Sequence, residues 1–309
     1  MDLLSKAITE IKVSLPQLEL REQEPMSAHC SFKIGGPAAA LAIPSSPEQT
    51  AELCQRLREA GISPLIIGNG TNLLITDEPL QRFVIKLGDK LSSAVQTGER
   101  ELTADCGISL ARLASQSARL GLSGLEFAHG IPGTLGGAVC MNAGAYGGEM
   151  KDVLQSVTYL DENCQLLEKS VDRLELSYRH SIFSHSGCVV LSCRLGLIPG
   201  QEADISAKMR ELAEKRRSSQ PLDKPSAGST FKRPSAGYAA ALIDQAGLRG
   251  FSIGGAQVSE KHAGFVINTG SASFSDVRRL MEHIQKTVYD RSGIMLEPEV
   301  KIIENIRAQ

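Results

Sequence analysis

The sequence predicts an α+β fold with more than one domain. At 309 residues, the chain is long enough for two or three packed units. Strand patterns and helix patterns are interspersed along most of it. Pro221 and Pro225 interrupt the chain within 218–226, which makes this stretch the best candidate for a domain boundary.

The N-terminal part alternates between strand and helix patterns, and its clearest helix is predicted over 47–60. Ser46 is a suitable N-cap, Pro47 fits the first helical position, and Gln49 completes a capping-box pattern. Gly61 is expected to end the helix.

A polar turn, Gly68-Asn-Gly-Thr-Asn72, lies between apolar runs at 64–67 and 73–75 that predict buried strands. The backbone N–H groups of such a turn form a concave nest that binds anions. The turn is not the G-x-G-x-x-G dinucleotide fingerprint, because a strand rather than a helix follows it. An ordinary hairpin turn between the two strands is the alternative interpretation.

The middle of the chain predicts antiparallel strands together with two helices. Alternating residues over 89–106 indicate a hairpin with its turn at 97–100, and Ser109 is predicted to cap a helix that runs to about Leu120. The other elements expected here are strands at 153–160, 166–170 and 188–197 and an amphipathic helix at 204–217.

The remainder of the chain predicts a smaller α+β unit. Its longest helix is expected to have Ser275 as its N-cap, to bury an apolar face that includes Val277 and Leu280, and to end at Gly293. The other elements expected here are a strand at 229–232, a helix at 238–246, strands near Ala256 and Phe265, and a last strand at 295–303.

One glycine-rich run, HGIPGTLGGAVCMNAGAYGGEM at 129–150, has almost no charge and several apolar residues that require burial. Flexible linkers combine glycine with polar residues, so this run is not a linker. Bare backbone inside a core lets another group approach closely, and a phosphate or a flat ring system is the expected guest. A tight glycine turn packed for its own sake is the alternative.

Composition excludes several classes of function. The net charge of −2 lacks the basic excess of a protein that grips nucleic acid, and the seven cysteines form no C-x-x-C pair, which indicates reduced thiols in the cytoplasm. The histidines show no metal-ligand spacing, so no metal is expected. The N-terminus lacks the apolar core of a signal peptide, and no stretch is apolar enough to span a membrane.

Seven short stretches of the chain form a recognisable series. They are Ser31-Phe-Lys-Ile-Gly-Gly36, Gly68-Asn-Gly-Thr-Asn72, Gly130-Ile-Pro-Gly-Thr-Leu-Gly-Gly137, Asn142-Ala-Gly-Ala-Tyr-Gly-Gly148, Tyr178-Arg-His-Ser181, Gly228-Ser-Thr-Phe-Lys-Arg-Pro234 and Leu296-Glu-Pro-Glu-Val300. Together they resemble one family, the UDP-N-acetylenolpyruvoylglucosamine reductases, over about Phe32 to Ile303. Segment 220–229 and the absence of tyrosine between Ser184 and Asp204 resemble the family's shorter second type, and Cys30 departs from the threonine that is usual there.

The resemblance implies an FAD-binding domain of the vanillyl-alcohol-oxidase type in two parts, 1–87 and 88–217. A smaller α+β substrate-binding domain at 218–296 follows, and a C-terminal strand within 297–309 returns to the first part. The resemblance also implies bound FAD, NADPH as co-substrate, and reduction of UDP-N-acetylglucosamine enolpyruvate to UDP-N-acetylmuramate.

This reaction belongs to peptidoglycan precursor synthesis, and through it to cell-wall formation, cell shape and cell division. The partner implied is a small nucleotide sugar, with no nucleic acid, membrane or obligate protein partner. An FAD-linked oxidase of the same cofactor fold and a non-catalytic nucleotide-binding module are the alternatives.

Three residues stand at the family's catalytic positions. Arg179 matches the clamp for the substrate carboxylate, and Ser229 matches the proton donor, with Lys232 as a group that polarises its hydroxyl. Glu299 matches the acidic residue of the last strand, where Glu297 is expected on the same face. Without the resemblance, an exposed arginine, a serine in a turn hydrogen bond and a strand-end salt bridge explain the same residues.

The resemblance also assigns cofactor and substrate contacts. Arg217 is expected at the polar edge of the flavin, although cations at a helix C-terminus are also favoured by the helix dipole. The tyrosines and the histidine among the substrate contacts can equally be packed groups with one satisfied polar end. The cofactor set is Gly68, Asn69, Gly70, Thr71, Asn72, Ile131, Gly133, Thr134, Gly137 and Arg217, and the substrate set is Lys232, Tyr146, Tyr238 and His262.

Overall fold

The computed structural model describes residues 2–305, and these residues form two compact units. The first comprises the chain up to Glu22 together with Ala40–Asn69 and Arg82–Lys215. The second comprises Gln23–Ala39, Gly70–Gln81 and the chain from Arg216 onward. The finer division into 1–87, 88–217 and 218–296 stays a prediction.

Helices and strands alternate along the described residues. The α-helices are α1 (Leu3–Ser14), α2 (Pro47–Glu59), α3 (Leu110–Arg119), α4 (Leu135–Cys140), α5 (Glu202–Ser219), α6 (Ala239–Gln245) and α7 (Phe274–Ser292). Single 3₁₀ turns lie at Met26–His29, Asp89–Leu91, Met150–Asp152 and Val171–Arg173.

The strands are mostly short. They are β1 (Glu19–Pro25), β2 (Pro37–Ile43), β3 (Leu65–Ile67), β4 (Leu73–Ile75), β5 (Leu80–Lys86), β6 (Ala94–Gly98), β7 (Glu101–Asp105), β8 (Leu122–Ser123), β9 (Gly144–Ala145), β10 (Gly148–Glu149), β11 (Leu154–Leu160), β12 (Leu166–Ser170), β13 (Val189–Gly196), β14 (Ile198–Pro199), β15 (Ser252–Ile253), β16 (Ala256–Val258), β17 (Val266–Asn268) and β18 (Lys301–Ile303).

The first unit is built on an antiparallel five-stranded sheet in the order β12-β11-β13-β7-β6. Val157 lies opposite Cys193, and Cys193 lies opposite Ala104. These three side chains are buried, and each fully buried valine or leucine contributes roughly 1.5–3 kcal/mol. The predicted strands and the hairpin of β6 with β7 are confirmed.

Side-chain caps set the predicted helix starts of the first unit. Ser46 accepts a hydrogen bond from the Gln49 N–H at 3.1 Å, and Ser109 accepts one from the Arg112 N–H at 3.3 Å. The Gln49 side chain, however, accepts from the Ser45 N–H at 2.8 Å, so the predicted capping box is displaced by one residue. Both helices begin where the sequence predicts.

The second unit contains the small sheet β15-β16-β17 and the long helix α7. The N-cap of α7 is Ser273, which accepts from the Asp276 N–H at 3.1 Å while Asp276 accepts from the Ser273 N–H at 3.1 Å. The predicted N-cap, Ser275, is therefore wrong, because only Ser273 has an acidic residue three positions later. The helix ends before Gly293 as predicted.

Two predicted strands of this unit are shorter or missing. Residues 229–232 form only an isolated bridge between Phe231 and Pro298, and the strand expected at 295–303 is limited to β18. Pro298 has no N–H group to donate to a ladder, which explains why pairing does not extend. The predicted helix at 238–246 and the strands near Ala256 and Phe265 are confirmed.

Strands β3 and β4 belong to different sheets. β3 pairs in parallel with β5 in the sheet β1-β2-β5-β3, whereas β4 pairs in parallel with β18, with Lys301 opposite Leu73. The hairpin interpretation of the turn at 68–72 is therefore wrong. The C-terminal strand β18 thus pairs with a strand that lies within the first 87 residues of the chain.

All seven cysteines are free, and burial raises the pKa of Cys106 to about 12 and that of Cys193 well above its ordinary value, so both remain protonated. Within residues 2–305, no helix is both long enough and apolar enough to cross a bilayer. The same residues contain no cluster of three metal-binding side chains.

Candidate functional site

Two predicted cofactor motifs meet at Gly68 and Thr134. Thr134 is the buried N-cap of α4 and accepts from the Gly137 N–H at 3.5 Å. A Cβ atom on Gly68 would lie 2.2 Å from Thr134 Oγ1, so any other residue at 68 would force Thr134 to move. Glycine at 68 therefore lets the first residue of the turn lie directly against the start of α4.

The second half of that turn rests on the residues around Ser31. The Ser31 N–H donates to the Gly70 carbonyl at 3.2 Å, and Gly70 adopts a left-handed φ of 62°. A Cβ on Gly70 would lie 2.2 Å from the His29 carbonyl oxygen, so glycine is required here on two grounds. Ser31 Oγ also donates to the Ser226 carbonyl at 2.6 Å.

Asn72 joins the turn to the C-terminal motif. Its side-chain amide donates to the Glu299 carbonyl at 3.0 Å, and its own carbonyl accepts from the Lys301 N–H at 2.9 Å. Asn72 therefore holds the backbone beside Glu299. Two other residues of the turn bear side chains. Asn69 is exposed, and Thr71 is half-buried.

Part of the glycine-rich run is packed against the chain itself. A Cβ on Gly136 would lie 3.0 Å from Cys106, one on Gly144 2.7 Å from the Gly148 carbonyl, and one on Gly148 2.7 Å from Phe127. The self-packing interpretation therefore explains these three glycines. Gly137, by contrast, is exposed, and a Cβ there would meet Thr134 only at 3.6 Å.

The same run begins with a histidine that sequence analysis did not single out. The Nδ1 atom of His129 is shielded from solvent and finds no hydrogen-bond partner among residues 2–305. Buried polar atoms normally have a partner, so this atom fits a bound ligand with a polar group. Half-buried Ile131 and Gly133 follow, and the Gly133 carbonyl accepts from the Leu110 N–H at 3.1 Å.

Arg179 lies at the tip of a two-residue turn. The Ser177 and His180 backbones exchange hydrogen bonds of 3.2 and 3.1 Å, and Arg179 has a left-handed φ of 56°. Its guanidinium lies 5.1 Å from the ring centroid of exposed Tyr178, and the side chain is half-buried. The turn therefore presents Arg179 from a defined backbone rather than from a free loop.

Three polar side chains hold this turn to the end of α4. The buried Asn142 amide donates to the Ser177 carbonyl at 3.1 Å. The hydroxyls of Ser181 and Ser184 donate to the Cys140 carbonyl at 2.9 and 2.7 Å. The two motifs at 142–148 and 178–181 are therefore brought together, although 35 residues separate Asn142 from Ser177.

Ser229 and Glu299 lie on neighbouring segments of the second unit. Thr230, which is buried, donates its N–H to the Gly264 carbonyl at 2.8 Å and accepts the Glu299 N–H at its own carbonyl at 2.9 Å. The side chains of Ser229 and Glu299 are both half-buried. The backbone pairing thus brings together two of the three predicted catalytic residues.

Glu297 and Glu299 differ in their surroundings. Glu297 forms an ion pair with Lys232 and keeps 69% of its side chain exposed. The expectation that both glutamates share one face of a strand is wrong, because 297–300 is not in a strand. Lys232 thus engages the surface carboxylate, while Glu299 is the more enclosed of the two.

The remaining predicted contacts have varied environments. Tyr146 is 46% exposed and Tyr238 is 60% exposed, with the Arg233 guanidinium 4.2 Å from the Tyr238 ring centroid.

His262 accepts the Gly264 N–H at Nδ1 at 3.2 Å, and burial lowers its pKa, which keeps the ring neutral. Arg217 is exposed near the end of α5.

Comparison with known proteins identifies the family. Residues 220–303 match the model of the UDP-N-acetylenolpyruvoylglucosamine reductase C-terminal domain, and residues 38–170 match that of an FAD binding domain. The UDP-N-acetylenolpyruvoylglucosamine reductase of Caldanaerobacter subterraneus subsp. tengcongensis is 48% identical over 96% of this chain and 97% of its own. The chain belongs to the UDP-N-acetylenolpyruvoylglucosamine reductase family.

Other members of the reductase family agree. The reductase of Clostridioides difficile is 46% identical over 94% of this chain and 95% of its own. The crystal structure of the Thermus caldophilus reductase (MurB) superposes with a TM-score of 0.79 at 32% identity, over 93% of this chain and 99% of that one. The predicted family, the α+β fold with an FAD-binding domain, the oxidoreductase class and FAD as cofactor are confirmed.

Proposed function

We propose that this chain reduces UDP-N-acetylglucosamine enolpyruvate to UDP-N-acetylmuramate with NADPH as the reductant, in the cytoplasmic synthesis of peptidoglycan precursors. The observation that carries the proposal is the hydrogen bond from the Glu299 N–H to the Thr230 carbonyl at 2.9 Å. It supports a shared role for Ser229 and Glu299, residues that lie 70 positions apart in the sequence.

FAD would be held by the turn at 68–72 and by the segment from Ile131 to Gly137. The N–H groups of the turn suit the pyrophosphate, and the exposed backbone at Gly137 suits the flat ring. The unpartnered Nδ1 of His129 is a further polar group for the same ligand, and Arg217 is the proposed contact to the polar edge of the flavin. Bound FAD would relay a hydride from NADPH to the substrate.

Arg179 is the proposed clamp for the substrate carboxylate. Hydride addition to the conjugated double bond places negative charge on that carboxylate, giving an enolate. A guanidinium is charged at any working pH and offers a planar pair of donors to two oxygens. The stacked, half-buried position of Arg179 limits its side-chain freedom and favours this role.

Ser229 is the proposed proton donor to the enolate carbon. General acid catalysis of this kind accelerates a step by about 10²- to 10⁴-fold. Glu299, protonated, is proposed to donate a hydrogen bond to the developing enolate, which requires an enclosed carboxyl group. The half-buried position of Glu299 supports this choice over exposed Glu297.

Four residues are proposed for the nucleotide-sugar part of the substrate. Tyr146 and Tyr238 expose rings on which a base or sugar can stack, and Lys232 offers a cation close to Ser229 in sequence. His262 is neutral and already binds the Gly264 N–H, so only its Nε2 is proposed as a donor.

A single anaerobic experiment tests the proposed function. The purified protein is expected to be yellow, to bleach with NADPH, and to regain its colour rapidly when the enolpyruvyl nucleotide is added. A reduced protein that only oxygen reoxidises would indicate an FAD-linked oxidase. A colourless protein that cannot take up FAD would indicate a nucleotide-binding module.

A further inference from the structure

Helix α4 lies between the proposed cofactor contact and the proposed clamp. Its N-cap, Thr134, lies against Gly68, and its last carbonyl, that of Cys140, binds the hydroxyls of Ser181 and Ser184. A six-residue helix is only about 9 Å long. A short, capped helix of this kind fixes the distance between the backbone at its two ends.

Asn142 provides the central connection at the clamp end. Its amide donates to the Ser177 carbonyl at 3.1 Å and to Glu149 Oε2 at 2.7 Å, and its Oδ1 accepts the Lys151 N–H at 2.9 Å. The residue is 1% exposed and has a left-handed φ of 41°, which asparagine tolerates better than most residues. Both polar atoms of this side chain are therefore hydrogen-bonded, to the Ser177 carbonyl, the Glu149 carboxylate and the Lys151 N–H.

We propose that Asn142 is a positioning residue that sets the orientation of Arg179 through the Ser177 carbonyl. The inference rests on the proposed role of Arg179. Ser177 begins the two-residue turn that carries Arg179, so a shift of its carbonyl moves the guanidinium. A misplacement of about 1 Å at a reacting centre can slow a reaction by about 10²-fold.

Asn142→Gly is the main test variant, because glycine accepts the left-handed backbone and its lack of a side chain removes the amide. Flavin reduction by NADPH is expected to stay within about twofold of the native rate, since the clamp does not act in that step. Reoxidation by the enolpyruvyl nucleotide is expected to slow by about 10- to 100-fold. Calorimetric titration of the oxidised holoenzyme is expected to show substrate binding about tenfold weaker.

A double-mutant cycle with Arg179→Lys separates the positioning of Arg179 from general damage to the fold. If Asn142 acts through Arg179, adding Asn142→Gly to Arg179→Lys is expected to change reoxidation and substrate binding by less than about threefold. Equal effects of Asn142→Gly in both backgrounds would overturn the inference. Native behaviour of Arg179→Lys by itself would instead overturn the proposed role of Arg179.

Asn268→Ala is the matched control, because Asn268 is also a buried asparagine with three hydrogen bonds, to Phe32, Gly270 and Ala272. It is expected to lower the melting temperature without the selective loss of substrate binding. The same selective loss in Asn268→Ala would contradict the inference. If Asn142→Gly gives no folded holoenzyme, Asn142→Ala, which also removes the amide and adds no charge beside Glu149, is measured in the same cycle.

Discussion

The turn that carries Arg179 and the segment that carries Ser229 are held by different kinds of hydrogen bond. Side chains hold the Arg179 turn: the amide of Asn142 and the hydroxyls of Ser181 and Ser184 donate to backbone carbonyls. A substitution outside the turn can therefore displace it. We therefore expect the position of Arg179 to depend on Asn142, Ser181 and Ser184 as well as on the turn itself.

The Ser229 segment is held mainly by its backbone. The Thr230 N–H donates to Gly264, the Glu299 N–H donates to Thr230, and the Lys232 N–H donates to Glu297, at 2.8 to 2.9 Å. Side-chain substitutions leave such bonds in place. We therefore expect the chemistry of this segment to be sensitive to its reacting side chains and tolerant of changes in their neighbours.

The largest effect is expected from Ser229→Ala, which removes the proposed acid and leaves the backbone pairing intact. Reoxidation of the reduced enzyme by the enolpyruvyl nucleotide should slow by about 10²- to 10⁴-fold. Reduction by NADPH should be unchanged, as measured by anaerobic stopped-flow absorbance. Ser235→Ala, at an exposed position, is the control; equal slowing of both half-reactions in Ser229→Ala would refute the acid role.

The next-largest effect is expected at Glu299, and Glu297 of the same segment provides the comparison. Glu299→Ala removes the proposed donor to the enolate and should slow reoxidation by about 10²- to 10³-fold. Glu297→Ala removes an exposed ion pair with Lys232, which is worth about 0–1 kcal/mol, and should leave the rate unchanged. The reoxidation rates of both variants are measured by stopped-flow absorbance. A larger loss of rate in Glu297→Ala than in Glu299→Ala would assign the role to Glu297.

A smaller effect is expected when the hydroxyls that hold the Arg179 turn are removed. Ser181→Ala with Ser184→Ala leaves the Cys140 carbonyl without two donors, which should lower the free energy of unfolding by about 1–3 kcal/mol. Substrate binding, measured by calorimetry, should weaken several-fold. Ser181→Ala alone is the control, because Ser184 still donates; native substrate affinity in the double variant would show that these hydroxyls do not position the turn.

The smallest effect on the chemistry is expected from Thr230→Val, which neighbours the proposed acid. Thr230 Oγ1 accepts the Val266 N–H at 2.9 Å, so its loss should lower the free energy of unfolding by about 1–3 kcal/mol in urea titrations. The reoxidation rate should remain within about threefold, because the backbone bonds to Gly264 and Glu299 persist. A rate loss above tenfold would show that the backbone alone does not hold this segment.

Local features of the fold could be predicted from the sequence, because their causes lie within a few residues. The caps at Ser46 and Ser109 and the hairpin of β6 with β7 follow from residues three or four positions apart. The wrong cap at Ser275 arose among closely spaced serines, where the position of Asp276 decides. The partner of β4 lies more than 200 residues away, and no local pattern identifies it.

The same distinction between local causes and distant partners applies to the candidate site. The motifs that contain Gly68, Arg179 and Ser229 could be located by resemblance, because each is a short contiguous stretch. The role of Asn142 could not, since it depends on a carbonyl 35 residues away, and His129 gave no signal beyond its place at the start of the run. Long-range partners of buried polar groups require the folded chain.

The parallel pairing of β4 with β18 has a consequence for folding. The turn proposed to bind FAD leads directly into β4, and Asn72 of that turn binds the Glu299 backbone. During synthesis, a nascent chain lacks both partners until residues 299–303 have been added. We therefore expect FAD uptake only after these residues have been made, and chains that are truncated before residue 296 to lack FAD.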